Sequence, residues 1–148
     1  MIFNFFSIYF IMFSAVLLDL YGVIYPDAQN QSAAFVAKIK ELGLQIIVVT
    51  NLNADLARQI CDQLSIQHVY LCQQLGLAKT DPELYEQIIH DHELTASEVV
   101  MLDDTCANLQ AAGESGVKTV YFGADDCPFA GRVINSLDDF LLILSEKP

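Results

Sequence analysis

The stretch Ala15-Val16-Leu17-Leu18-Asp19-Leu20-Tyr21-Gly22-Val23 constrains this chain more than any other. Four apolar residues run straight into an acid, and a glycine follows three positions later. An apolar run of this kind reads as a strand buried on both faces. Such a strand cannot hold a charge in its middle, so Asp19 is expected at its carboxyl end. In open α/β sheets that end is where ligands bind. Gly22 then lets the backbone turn sharply away.

Similar runs recur along the chain, and helical patterns separate them. Residues 44–49, 68–72, 98–102 and 117–122 read as further strands. Helices are expected over 31–42, 54–64, 81–91, 107–115 and 137–144. Asn53 is placed to cap the second of these, and Asp81-Pro82 opens the third with a cap and a first-turn proline. Loops are expected over 21–30, 73–80 and 123–131. Alternating strands and helices predict an α/β fold, a parallel sheet covered by helices on both faces.

Composition narrows the class. The chain has 148 residues, of which 53% are hydrophobic and 18% charged, which predicts one folded domain rather than disorder. A net charge of −12 opposes binding to nucleic acid or anionic membranes. Cys61, Cys72, Cys106 and Cys127 form no CxxC pair and read as reduced, buried thiols of a cytoplasmic protein. Residues 1–18 carry no charge, but the first base is Lys38, so no positive flank marks a signal or a span. Residues 1–11 are read as an apolar extension, and 12–148 as a single domain with no membrane span. His90 and His92 stand two apart on a helix and face different ways, so neither is expected to bind metal. His68 is expected to be structural.

The polar residues at the strand ends carry the functional signal. Asp19, Thr50 and Asp103-Asp104 each follow an apolar strand, and a parallel sheet gathers such ends on one edge. Lys79 follows the third strand by a short loop and can reach the same edge. Clustered carboxylates repel one another unless a cation sits between them, and oxygen ligands of this kind suit Mg2+. An acid nucleophile, a hydroxyl, a lysine and a metal pocket suit phosphoryl transfer.

These residues resemble the four ordered motifs of the haloacid dehalogenase-like (HAD) hydrolase superfamily. The matching segments are Asp19-Leu20-Tyr21-Gly22-Val23, Val48-Val49-Thr50-Asn51, Lys79-Thr80-Asp81-Pro82-Glu83-Leu84-Tyr85 and Leu102-Asp103-Asp104-Thr105-Cys106-Ala107-Asn108. The run from Ala111 to Thr119 resembles the segment after the last motif. The resemblance spans residues 15 to about 122. It implies a three-layer α/β/α Rossmann-like domain with strand order 5-4-1-2-3. It also implies roles. Asp19 is the nucleophile. Thr50 binds the transferred group, supported by Asn51, and Lys79 neutralises nucleophile and phosphate. Asp104 is the main Mg2+ ligand, with Asp103, directly or through water, and the Tyr21 backbone carbonyl as further ligands. Asn108 falls where many members place a polar residue beside the metal.

Tyr21 departs from the pattern. Phosphatases of the superfamily usually carry an aspartate there as general acid and base. A phenol, with an ordinary pKa of about 10, is a poor proton shuttle at neutral pH. The leading expectation is therefore a Mg2+-dependent phosphatase, slow in turnover. Tyrosine at this position also resembles the 2-haloacid dehalogenase branch, which needs no metal. A non-catalytic domain that binds phosphate or protein is the third reading. Each interval between the first three motifs holds one helix, so no cap is expected over the site. An open site suits a bulky phosphorylated substrate as well as a small one.

Overall fold

The computed structural model describes residues 13–146. Its centre is a six-stranded parallel sheet. The strands are β1 (Ala15–Leu18), β2 (Gln45–Thr50), β3 (His68–Leu71), β4 (Val99–Asp103), β5 (Lys118–Phe122) and β6 (Arg132–Ile134). They lie in the order β3-β2-β1-β4-β5-β6. The five expected strands therefore keep the order 5-4-1-2-3, and a sixth extends the sheet beyond β5. The helices are α1 (Ser32–Glu41), α2 (Ala54–Gln63), α3 (Cys72–Leu75), α4 (Pro82–Asp91), α5 (Cys106–Glu114) and α6 (Leu137–Ser145).

Strand alternation decides which helix covers which face. Val16, Leu18, Ile46, Val48, Val100 and Leu102 point to one face, where residues of α1, α2 and α6 close the core. Ala15, Leu17, Ile47, Val49, Val99 and Met101 point to the other, under residues of α4 and α5. Every residue of β1 is fully buried, as its unbroken apolar run requires. Two expected caps form: the Asn53 side chain accepts from the Leu56 amide at 3.0 Å, and Asp81 from the Glu83 amide at 3.1 Å. The α1 entry is held from a distance, with Asp27 Oδ1 accepting from the Gln31 amide at 2.8 Å.

Two expectations are corrected, and one strand is added. The segment 73–80 is not all loop, because Cys72–Leu75 forms a helical turn ended by Gly76 at φ 67°. Strand β6 follows directly on the predicted loop 123–131. The four cysteines are not all reduced thiols: Cys106 and Cys127 are bonded, while Cys61 and Cys72 are free and buried. The pairing follows from topology. β4 and β5 are neighbours, so the loops leaving their carboxyl ends meet, and the two Cα atoms stand 5.7 Å apart across 21 residues.

Among the described residues, no helix is long and apolar enough to cross a membrane. The apolar extension 1–11 lies outside the described residues. His68 is exposed, and its ring meets the His92 ring edge-on at 4.9 Å.

Candidate active site

Sheet register sets the floor of the site. Leu18 pairs with Val48 on one side and Leu102 on the other. The next residue, Asp19, therefore stands level with Asp103. Its amide still donates to the Leu102 carbonyl at 3.1 Å, so Asp19 ends the ladder rather than leaving it. Thr50 ends β2 one strand away. Lys79 enters from the loop before α4, where the Tyr85 hydroxyl holds its carbonyl oxygen.

Lys79 ties two acids together. Its Nζ donates to Asp19 Oδ1 and to Asp103 Oδ2, the latter at 3.2 Å. Asp103 is fully buried and fully engaged. Oδ1 accepts from the Thr105 amide at 2.8 Å, and both oxygens lie 3.3 Å from Asn108 Nδ2. Asp104 turns the other way, toward Gly22. These carboxylates cluster tightly: one ligand oxygen each from Asp19, Asp103 and Asp104 lie within 4.8 Å of one another.

Burial and charge act against each other here. Burial pushes the Asp19 carboxyl up to about 7, helped by the charges of Asp103 and Asp104 and opposed by Lys79. Burial likewise raises Asp103, against Lys79, the Thr105 amide and Asn108. Burial pulls the Lys79 ammonium down, but Asp103 and Asp19 more than offset this, so it sits above the ordinary lysine value. Fully ionised, three carboxylates against one ammonium leave two negative charges in a buried cluster. Hard oxygen donors with that surplus fit a divalent cation such as Mg2+.

The group opens onto a cavity of about 390 Å3. Asp19, Thr50, Lys79 and Asp104 line it, with Tyr21, Asn51 and Asn108. Thr50 Oγ1 accepts from the Leu52 amide at 3.1 Å, which fixes its lone pairs. Gln73 donates to the Asn51 carbonyl at 3.3 Å and braces that loop. Asp103 is not among the described lining residues of the cavity; it contacts Lys79, and one of its oxygens lies within 4.8 Å of ligand oxygens of Asp19 and Asp104. A neighbouring cavity of about 460 Å3 along residues 22–32 carries none of the predicted side chains. Every residue expected at the site is thus brought to one edge. Sequence reasoning gave no role to Thr105 or Tyr85, although both lie inside the motifs it used.

Gly22 is needed here twice over. Its φ is +86°, and a Cβ would lie 2.0 Å from Asp104 Oδ2. Gly22→Ala is expected to cost about 1–2 kcal/mol in backbone strain. It should also weaken Mg2+ binding about tenfold or more by turning Asp104 aside. Calorimetric Mg2+ titration checks this, and unchanged affinity would remove Asp104 from the metal site.

A buried acid thus ends a central parallel strand of a Rossmann-like sheet, facing a lysine and a second acidic pair. The family model described as haloacid dehalogenase-like hydrolase matches residues 29–116, and the chain belongs to that family. A curated relative, bifunctional epoxide hydrolase 2 of Rattus norvegicus, is 31% identical over 93 residues. That match covers 57% of this chain and 17% of the relative, so the chain spans a minor part of that protein's length. A solved dehalogenase superposes with TM-score 0.70 at 21% identity, covering 83% of this chain and 57% of that one. The core domain of a candidate phosphoglycolate phosphatase from Streptococcus pneumoniae TIGR4 superposes with TM-score 0.72 at 21% identity. It covers 91% of this chain and 97% of that one. At these identities the superpositions establish the fold.

Proposed function

We propose that this protein is a Mg2+-dependent phosphatase that acts through an aspartyl-phosphate on Asp19. The observation that carries the reading is the Lys79 bridge between Asp19 and Asp103, beside Asp104, at one cavity. Lys79 holds Asp19 Oδ1, which orients the carboxylate for attack on phosphorus. An Asp19–phosphorus bond forms as the bond to the leaving oxygen breaks. Thr50 hydrogen-bonds the transferred phosphoryl group, with Asn51 supporting its loop. Water then attacks phosphorus, which releases phosphate and restores Asp19. Asp19, Asp104 and the Tyr21 carbonyl would hold Mg2+, with Asp103 behind them positioning Lys79 directly and reaching the ion through water. Bound there, Mg2+ would offset phosphate charge as a Lewis acid. Asn108 keeps Asp103 in place.

Proton transfer to the leaving oxygen is the weak step, because Tyr21 occupies the usual acid's position. Tyr21→Asp is expected to raise phosphatase turnover at least about tenfold, toward the 10²–10⁴ typical of general acid–base catalysis. The test is a phosphomonoester panel with and without Mg2+ on wild type and this variant. No hydrolysis by either, in folded protein that binds Mg2+, would sink the reading. Tyr21 also supports a second reading, displacement of halide from carbon by Asp19. That chemistry predicts halide release that survives a chelator. The acidic triad favours the first reading, since a metal-free site has no need of Asp104 beside Asp19.

A further inference from the structure

We propose that Tyr21 selects the substrate: it stacks on an aromatic leaving group, so the preferred substrates are phosphomonoesters whose leaving group is aromatic and carries no second negative charge. This rests on the phosphatase reading and narrows it.

Four observations support the assignment. Tyr21 lines the cavity above Asp19 yet is 61% exposed, so the fold gains little from burying it. Its ring lies 6.4 Å from that of Tyr25, tilted by 51°, which supports it from one side and leaves ring surface open to a ligand. Leu52 adds a second large apolar residue to the same lining. At about 390 Å3, the space falls in the range of small-molecule sites and exceeds what a phosphoryl group occupies. The space therefore has room for a leaving group beside the phosphate, next to Tyr21.

Charge excludes the anionic alternatives. Among the described residues, Lys79 is the one base lining the cavity, and Asp19 and Asp103 already take its charge. With Mg2+ taken up by Asp19, Asp104 and the transferred phosphate, a second phosphate or a carboxylate on the leaving group would find no cation of its own. The surrounding surface, at net charge −12, repels it as well.

Non-hydrolysable phosphonates separate binding from turnover. Phenylphosphonate and methylphosphonate are titrated calorimetrically into the Mg2+-loaded protein. In wild type, phenylphosphonate is expected to bind about tenfold more tightly, the size of one good aromatic contact. Tyr21→Phe should keep that ratio, and Tyr21→Ala should bring it to about one. Because the ratio is taken within each variant, any general loss of anion binding cancels. Phosphonoacetate should bind more weakly than methylphosphonate. A wild-type ratio near one, or a ratio unmoved by Tyr21→Ala, overturns the inference and leaves the phosphatase reading standing. Tighter binding of phosphonoacetate overturns its charge half. If neither phosphonate binds to protein that does bind Mg2+, both readings fall together.

Discussion

Lys79→Met is expected to destabilise the metal-free protein by about 3–5 kcal/mol at pH 8, the usual cost of breaking a buried ion pair from one side. The methionine keeps most of the aliphatic stem, so packing changes little. What disappears is the charge that two carboxylates share. Asp103 is fully buried and Asp19 nearly so. Asp103 would keep the Thr105 amide and Asn108 as donors, whereas among the described residues Asp19 has no side-chain donor except Lys79. The loss is a large fraction of the 5–15 kcal/mol typical of a folded domain. Urea denaturation measures it. Three features should accompany the effect. It should shrink at acid pH, where the carboxylates take up protons. Mg2+ should recover part of it by mass action, since the ion binds the folded form alone. Adding Asp19→Asn to Lys79→Met should recover part as well, by removing one of the stranded charges. A loss below about 1 kcal/mol would mean that Lys79 is not what makes the acidic cluster tolerable in the core.

How far such a cluster can be foreseen depends on what marks each residue. Asp19 and Thr50 are visible because a long apolar run cannot contain a polar side chain except at its end. Asp103 and Asp104 share that signal, but the run does not say which of them faces the cavity. Asp103 is the last residue of β4 and continues the alternation of Val99 and Met101, which carries it inward to Lys79 and Asn108. Lys79 has no periodic signal at all; its place in the short loop after the third strand and the ordered motifs singled it out. Short elements escape for the opposite reason. β6 has three residues, two of them exposed, so no alternation marks it. α3 has four, too few to show a helical period, although Gly76 after it was an available stop signal. The Cys106–Cys127 pairing is invisible to spacing because it depends on β4 and β5 being neighbours. The core strands were legible since burial on both faces demands apolar residues throughout.

Asp19→Asn should separate activity from stability in opposite directions. Loss of the nucleophile is expected to lower kcat by about 10⁴-fold or more, since later steps have no other group to carry the phosphoryl. Stability should move the other way. Burial lifts the folded Asp19 carboxyl to about 7 from an ordinary value of 3.8. Between those values the folded form holds a proton that the unfolded chain has released. Folded stability of the metal-free wild type must therefore fall as pH rises through that window and level off above it. Asparagine does not titrate, so the variant should lack this part of the decline. It can still accept from Lys79, which also keeps Asp103. At pH 8 without metal, Asp19→Asn is thus expected to match or exceed wild type in thermal stability. Below about pH 4 its advantage should vanish. Mg2+ should narrow the gap at pH 8, because the ion supplies the positive charge that ionised Asp19 needs. Retained turnover would remove Asp19 as nucleophile. A variant less stable than wild type at pH 8 would show that the carboxylate is held for structure. The predicted combination, an inactive protein made sturdier, arises only if the acid is kept at the end of β1 for its chemistry and against the preference of the fold.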